Sequence, residues 1–160
     1  MIHINIICIG KIKESFFKDA ILEYSKRLSK YCILNITEMP DEKIPNNASE
    51  KEINNIKNTE CNKIINQLKK DSYIICLDPN GKQYSSEDFS KKIENISLIG
   101  YSSITFIIGG SLGISKELLN KSNEQISFSK MVFPHQLFRI ILLEQIFRAF
   151  KISDNENYHK

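Results

Sequence analysis

The stretch FSKMVFPHQLFR, Phe128 to Arg139, puts a proline and a histidine where an apolar, strand-like run gives way to a long amphipathic segment. Pro134 can begin a helix, because its missing N–H falls among the donors that a helix start leaves unsatisfied. His135 then stands in the first turn, where the positive end of the helix dipole lowers a histidine pKa. A neutral imidazole at the carboxyl end of a strand is placed to accept a proton. A histidine that only closes a turn meets the same spacing. Arg139 follows one turn later on the same helical face. It suits a charge held near a developing anion or a phosphate, and it equally suits a salt bridge to a local carboxylate. The chain finishes on NENYHK, with Tyr158, His159 and Lys160 as its last residues. A ring, an imidazole and an ammonium together can stack on a base and contact a phosphate. A frayed chain end has the same composition.

A second segment with chemical potential is IIGGSLGIS, Ile107 to Ser115. Gly109, Gly110 and Gly113 follow a buried, strand-like run, and glycine there allows close approach of a ligand. The spacing is neither G-x-G-x-x-G nor G-x-x-x-x-G-K-[ST], which disfavours a nucleotide phosphate cradle and a dinucleotide-dependent oxidoreductase. A small-molecule site and a plain strand-to-helix turn both remain.

These segments must be held by a modest scaffold. The chain has 160 residues, 41% hydrophobic and 26% charged, which suits one domain over 1–160 with one real core. The net charge of +3 is too mild to prove a nucleic-acid partner. Lys11, Lys13, Lys18, Lys26, Arg27 and Lys30 crowd the first strand-helix unit, and Arg139, Arg148, Lys151 and Lys160 mark the C-terminal region. No apolar run approaches the ~20 residues of a membrane span. MIHINIICIGK lacks a basic n-region and a cleavage site, so it reads as a buried strand. Cys8, Cys32, Cys61 and Cys76 form no C-x-x-C pair and have no histidine at zinc-ligand spacing. Reduced thiols in a cytoplasmic protein without a metal site are expected.

Five strand-like runs alternate with five helical ones. The strands are Ile2–Ile9, Ile33–Met39, Tyr73–Asp78, Ser103–Ile108 and Ile126–Phe133, with Pro79-Asn80-Gly81 as a turn after the third. The helices are Ser15–Tyr31, one from Ser49 toward Lys70, one opened by Ser85 and Asp88, a short one from Ser115 through Asn120, and His135–Phe150. Ser49 and Glu52 make a capping box. Ser127, Ser129 and Lys130 interrupt the last strand, so part of it is expected to be irregular. The alternation predicts an α/β fold, a mostly parallel sheet with helices on both faces. Ligands then bind at the carboxyl ends of the strands, in the loops LDPNGK, GGSLGIS and KMVFPHQ. The last helix is apolar around most of its circumference, more than one buried face needs. That surplus points to a second partner surface, a homodimer interface.

Taken together, CIGKIKESFFKDAILEYSKRL, LDPNGK…SSEDF, FIIGGSLGIS, SFSKMVFPHQLFRIILLEQIFRAFKI and the terminal YHK resemble the ribosomal large-subunit pseudouridine methyltransferase H family, a minimal branch of the SPOUT methyltransferases. The resemblance spans essentially the whole chain. It implies an S-adenosyl-L-methionine-dependent enzyme that methylates the ring nitrogen N3 of a pseudouridine in 23S rRNA, on the assembled 70S ribosome. It also implies a trefoil knot in the C-terminal part, against the usual topology rules, and an obligate homodimer. Carried over by position, the cofactor contacts fall on Leu77, Gly109 and the run Phe128, Ser129, Lys130, Met131, Val132 and Phe133, with Gly110 and Gly113 shaping the glycine loop. Asn157 stands where the family often has proline, a departure that implies a tail less rigid before substrate binds. The expected catalytic set is His135, Arg139, Tyr158 and His159, with either histidine as the base. The competing reading is a catalytically silent RNA- or ribosome-binding module of the same fold, which binding of S-adenosylmethionine would argue against.

Overall fold

Strand β1 (Ile2–Ile9) is β-branched along most of its length and pairs on both edges, as a central strand must. On one side lies β2 (Cys32–Met39), in register from Ile2 opposite Cys32 to Ile9 opposite Met39. On the other lies β4 (Ser103–Ile108), from His3 opposite Ser103 to Cys8 opposite Ile108. β3 (Ser72–Gln83) continues the sheet, and β5 (Glu124–Ser127) closes it, giving the order β2-β1-β4-β3-β5 with every pairing parallel. The computed structural model describes residues 1–156.

The helices are α1 (Ser15–Leu28), α2 (Glu50–Ile65), α3 (Ser86–Leu98), α4 (Lys116–Lys121) and α5 (His135–Ser153). Two cores separate them into layers. On one face of the sheet, Ile4, Ile6, Cys8, Ile104 and Phe106 pack with Leu28 of α1, Ile93 of α3 and Leu142, Leu143 and Ile146 of α5. On the other, Ile7, Ile9, Cys76 and Ile107 pack with Cys61 and Ile64 of α2 and Leu118 of α4. Strand residues alternate between the faces, so one continuous apolar run feeds both cores. Each aliphatic side chain fully buried here contributes about 1.5–3 kcal/mol.

Local signals set the helix starts. Ser49 Oγ accepts the Glu52 N–H, and Glu52 Oε2 accepts the Ser49 N–H at 2.7 Å, completing the capping box. Ser85 and Ser115 cap α3 and α4 in the same way, through Asp88 N–H and Leu118 N–H. α2 ends at Ile65, short of Lys70, because the chain tightens there: Gln67 N–H bonds Ile64 O and Leu68 N–H bonds Ile65 O.

Two expectations need correction. β3 does not stop at Asp78; the strand runs to Gln83, and Pro79-Asn80-Gly81 falls within an irregularity between Leu77 and Lys82. Ile126 of β5 is the register partner of both Leu77 and Lys82. The register of β3 on β5 thus shifts by a bulge, with Gly81 against the backbone of Gln125 and Ile126. β5 itself begins at Glu124 and ends at Ser127, not at Phe133. Its polar start is masked in sequence, because Glu124 is held by Tyr73, Tyr84 and Lys92. Its early end follows from the serines: Ser127 Oγ donates to Ser129 O, and Ser129 Oγ accepts the Met131 N–H, so the backbone turns.

Much of the apolar circumference of α5 is covered within the chain, while Leu137 stays exposed and Ile140 and Ile141 half-buried. The helix lies over the sheet between α1 and α3. Tyr24 of α1 donates to Glu144 at 2.7 Å, and on the other flank Ser86 of α3 donates to Gln145 at 2.7 Å. Three sides are thus covered within one chain. Exposed apolar surface remains on α1, at Phe16 and Leu22, and at Met131, Val132 and Leu137 around the start of α5.

All four cysteines are buried and free. Burial pushes the thiols of Cys8, Cys32 and Cys76 up to about 12. For Cys76 the same burial outweighs the hydrogen bond from Ser122 that opposes it. Iodoacetamide at pH 8 is therefore expected to label none of the four in the folded chain and all four after denaturation. Labelling of any cysteine before unfolding would contradict the packing described.

Candidate active site

The β3 bulge and the carboxyl ends of β4 and β5 converge on a cleft of about 540 Å³, counting the part open to solvent. Leu77 at the β3 bulge and Ile108 and Ile126 near the ends of β4 and β5 form its apolar floor. Gly109 opens one wall, and Asp78 and Pro79 of the β3 irregularity form another. Phe128, Ser129, Met131, Val132 and Phe133 supply the rest from the irregular segment before α5, and His135 and Phe138 close it from the helix. Aromatic contacts fix this segment: Phe128 meets Phe89 and Phe138 edge-on, and Phe133 stacks on Phe138. Met131 and Val132 remain 77% and 82% exposed at the rim.

Of the residues singled out in sequence, Leu77, Gly109, Phe128, Ser129, Met131, Val132, Phe133 and His135 thus meet around one cleft. Lys130 is exposed and does not line it. Gly110 and Gly113 do not line it either; they pair with each other in an antiparallel bridge that folds the loop behind Gly109. A Cβ on Gly109 would come within 2.9 Å of the Gly113 backbone, so the close turn requires glycine. Tyr158 and His159 lie outside the described residues.

His135 begins α5 directly after Pro134, which stands at the N-cap. Its ring rests on Gly10, where a Cβ would lie 2.8 Å from His135 Cε1. Gly10 also has φ +94°, a left-handed conformation that favours glycine. Nothing in the sequence pattern pointed to Gly10; its one signal was a glycine at the carboxyl end of the first strand. His135 Nδ1 is buried without a hydrogen-bond partner among the described residues. Burial lowers the His135 pKa, as does the Arg139 charge; Asp41 and Glu38 oppose this, and the net value falls below 6.5. An unfolded histidine binds its proton as pH falls through 6.5 while the folded one does not. The contribution to stability is full above 6.5 and is lost as pH falls toward the depressed folded value. An NMR titration of His135 should give a midpoint below 6.5, and a midpoint at or above 6.5 would contradict the burial described.

Arg139 is not at the cleft. It is 1% exposed, the largest fully buried side chain among the described residues. Its Nη1 donates to Glu38 Oε2 at 2.5 Å and its Nη2 to the Gly10 carbonyl at 2.5 Å, while Nε is buried without a partner. The salt-bridge reading therefore describes its geometry, although the carboxylate comes from β2 and not from a local residue. Glu38 also accepts the Ile12 N–H at 2.7 Å. Burial raises the Glu38 pKa, but the Arg139 and Ile12 hydrogen bonds and the charges of Arg139 and Lys11 outweigh it, leaving the carboxyl below 4.5. Arg139 thus ties the carboxyl ends of β1 and β2 to α5 and fixes the glycine on which His135 rests.

A family model described as a predicted SPOUT methyltransferase matches residues 2–159. A curated protein from Clostridium botulinum (strain 657 / Type Ba4), named ribosomal RNA large subunit methyltransferase H, is 59% identical over 158 residues, covering 99% of both chains. Its namesake from Clostridium novyi (strain NT) is 58% identical over the same share. Among solved structures, a probable methylase family protein from Haemophilus influenzae Rd KW20 superposes with a TM-score of 0.55 at 12% identity, covering 98% of this chain and 70% of that one. At that identity the likeness speaks for the fold alone.

Proposed function

The chain belongs to the SPOUT methyltransferase family, and from that premise we propose that it methylates ribosomal RNA of the large subunit. The observation that carries this reading is the 59% identity to a large-subunit methyltransferase H over 99% of both chains. The finer reading is methylation of N3 of a pseudouridine in 23S rRNA, on the assembled 70S ribosome in the cytoplasm. Among the described residues, no helix is long and apolar enough to cross a membrane and no group of side chains could hold a metal ion.

The residues of the cleft fit S-adenosyl-L-methionine. Its apolar floor of Leu77, Ile108 and Ile126 suits an adenine ring, and the irregular run from Phe128 to Phe133 offers backbone donors and acceptors not used in the sheet. When bound, the cofactor supplies an electrophilic methyl group on a sulfonium. The protein's task is then to align the reacting groups and exclude water. Leu77 and Gly109 hold one side, Phe128 to Phe133 the other, and Met131 and Val132 at the rim shield the cleft.

The pseudouridine ring nitrogen carries a proton at neutral pH, so a base should assist. His135 is neutral at that pH and adjoins the cleft, and Nε2 is the ring nitrogen left to take the proton, since Nδ1 is sealed. His159 is the alternative base, and Tyr158 stacks on or hydrogen-bonds the substrate base. Arg139 acts as a positioning residue, through Gly10 and His135, in place of the direct anion contact expected from sequence. Recognition of the assembled ribosome by shape and phosphate contacts suits the modest net charge of +3. The trefoil knot expected in the C-terminal part belongs to this reading. The chain works as a homodimer, with the outer face of α1, where Phe16 and Leu22 are exposed, as the apolar surface to be covered.

Single-turnover methylation by His135→Ala and His159→Ala tests the assignment of the base. At least one variant should lose about 100-fold or more in rate while still binding cofactor. Full rates in both would remove both histidines from the chemistry.

A further inference from the structure

Glu60 of α2 is the one buried carboxylate among the described residues, 4% exposed, on the face that also carries Cys61 and Ile64 into the core. Placing a carboxylate on that stripe is costly, so its surroundings should show what it does in return. Glu60 Oε2 accepts the Glu42 N–H at 3.0 Å. One turn further along α2, Lys63 pairs with the Glu42 carboxylate at 2.5 Å. The segment after β2 is thus fastened to α2 twice. The carboxylate also lies directly against the glycine loop. A Cβ on Gly110 would stand 3.3 Å from Glu60 Oε1 and 3.0 Å from Ile9 Cγ2, so Gly110 lets the loop settle onto both. The neighbouring Cys61 Sγ accepts the Ser115 N–H at 3.2 Å at the loop's far end. Residues 60 and 61 of one helix therefore support the loop from Gly110 to Ser115, and Gly109, the residue before it, lines the cleft. The segment so fastened carries Asp41, whose charge acts on His135.

We propose that Glu60 is a positioning residue, which locks the Asp41–Glu42 segment and the Gly109–Gly113 loop onto α2 and so holds two sides of the reaction site in register. The assignment rests on reading the cleft as the cofactor site. Burial raises the Glu60 pKa against the opposing Glu42 N–H, in keeping with a carboxylate retained for its hydrogen bond in spite of its surroundings.

A structural role and a positioning role separate in Glu60→Met, which restores an apolar side chain of similar length to the stripe. Replacing a buried charged group by a packed apolar one is often neutral or stabilising. Glu60→Met should keep or raise the melting temperature, while hydrogen exchange at Glu42 quickens by about tenfold, the size of its one lost hydrogen bond, and exchange at Gly113, whose N–H bonds Gly110 O, quickens as the loop loosens. Its dissociation constant for S-adenosylmethionine should rise by about fivefold or more, because the loop must then be ordered on binding. Glu60→Gln, which keeps an acceptor oxygen, should hold both quantities within about twofold of wild type. Wild-type exchange at Glu42 and Gly113 in Glu60→Met would overturn the proposal, and so would exchange quickened evenly through β1 and β4. If the wild-type chain binds no S-adenosylmethionine, the cofactor reading falls, and the exchange pattern still decides whether Glu60 is the lock.

Discussion

Arg139→Met is expected to destabilise the chain by about 3 kcal/mol, a fall in melting temperature of roughly 6–12 °C for a domain of this size. Truncation leaves the Gly10 carbonyl without its donor and Glu38 without its cation. Breaking a buried pair costs about 3–5 kcal/mol, and the lower end applies because the Glu38 side chain is 35% exposed and can recover water. Glu38→Gln should cost nearly as much, since it leaves a buried guanidinium facing a neutral amide. The pH dependence follows from the depressed Glu38 pKa. The carboxylate's contribution is present above its ordinary value of 4.5 and is lost as pH falls through the lower folded value. The gap in stability between wild type and Glu38→Gln should therefore narrow below pH 4.5. Thermal melts of the three proteins at neutral and acid pH check this. A gap that widens under acid would mean that the pair does not hold β1 and β2 to α5.

Gly81→Ala carries the second large effect. A Cβ at this position would lie 2.7 Å from the carbonyl carbon and oxygen of Gln125 and from the carbonyl carbon of Ile126. These are backbone atoms of β5, which cannot swing aside as a side-chain tip can. The glycine is required for space, since Gly81 is not among the glycines with positive φ. Overpacking of this kind costs about 3 kcal/mol. The clash lies where the β3 bulge packs on β5, so the pairing of the two strands should weaken as well. Asn80→Ala, one residue earlier and exposed, should stay within about 0.5 kcal/mol of wild type. Equal melting temperatures for Gly81→Ala and Asn80→Ala would refute the close packing of the β3 bulge on β5.

What could be read from the residues was mostly local. β1 and β4 are continuous β-branched runs, and both were legible to their last residue. The Ser49–Glu52 box and the Ser85 and Ser115 caps were legible because a cap's partner lies three residues away. The start of β5 was not, because Glu124 and Gln125 look like solvent residues until Tyr73, Tyr84 and Lys92 are brought to Glu124 from elsewhere in the chain. The same limit governs the site. The strand-end rule selected three loops, and they do meet around one cleft. Arg139 looked like a candidate for an anion until its partners on β1 and β2 were seen. Glu60 drew no notice, since a glutamate on a charged helix normally points to water. Gly10 became meaningful only when His135 was found resting on it.

Transfer of a labelled methyl group decides whether this chain is a large-subunit RNA methyltransferase. Purified protein would be incubated with methyl-labelled S-adenosylmethionine and ribosomes from cells lacking this enzyme, with free 23S rRNA and isolated 30S and 50S subunits in parallel. Label is expected on a large-subunit pseudouridine, with the assembled 70S ribosome as the substrate that accepts it. No label on any of these RNAs, from protein that binds no S-adenosylmethionine, would contradict the assignment and leave a silent ribosome-binding module of the same fold.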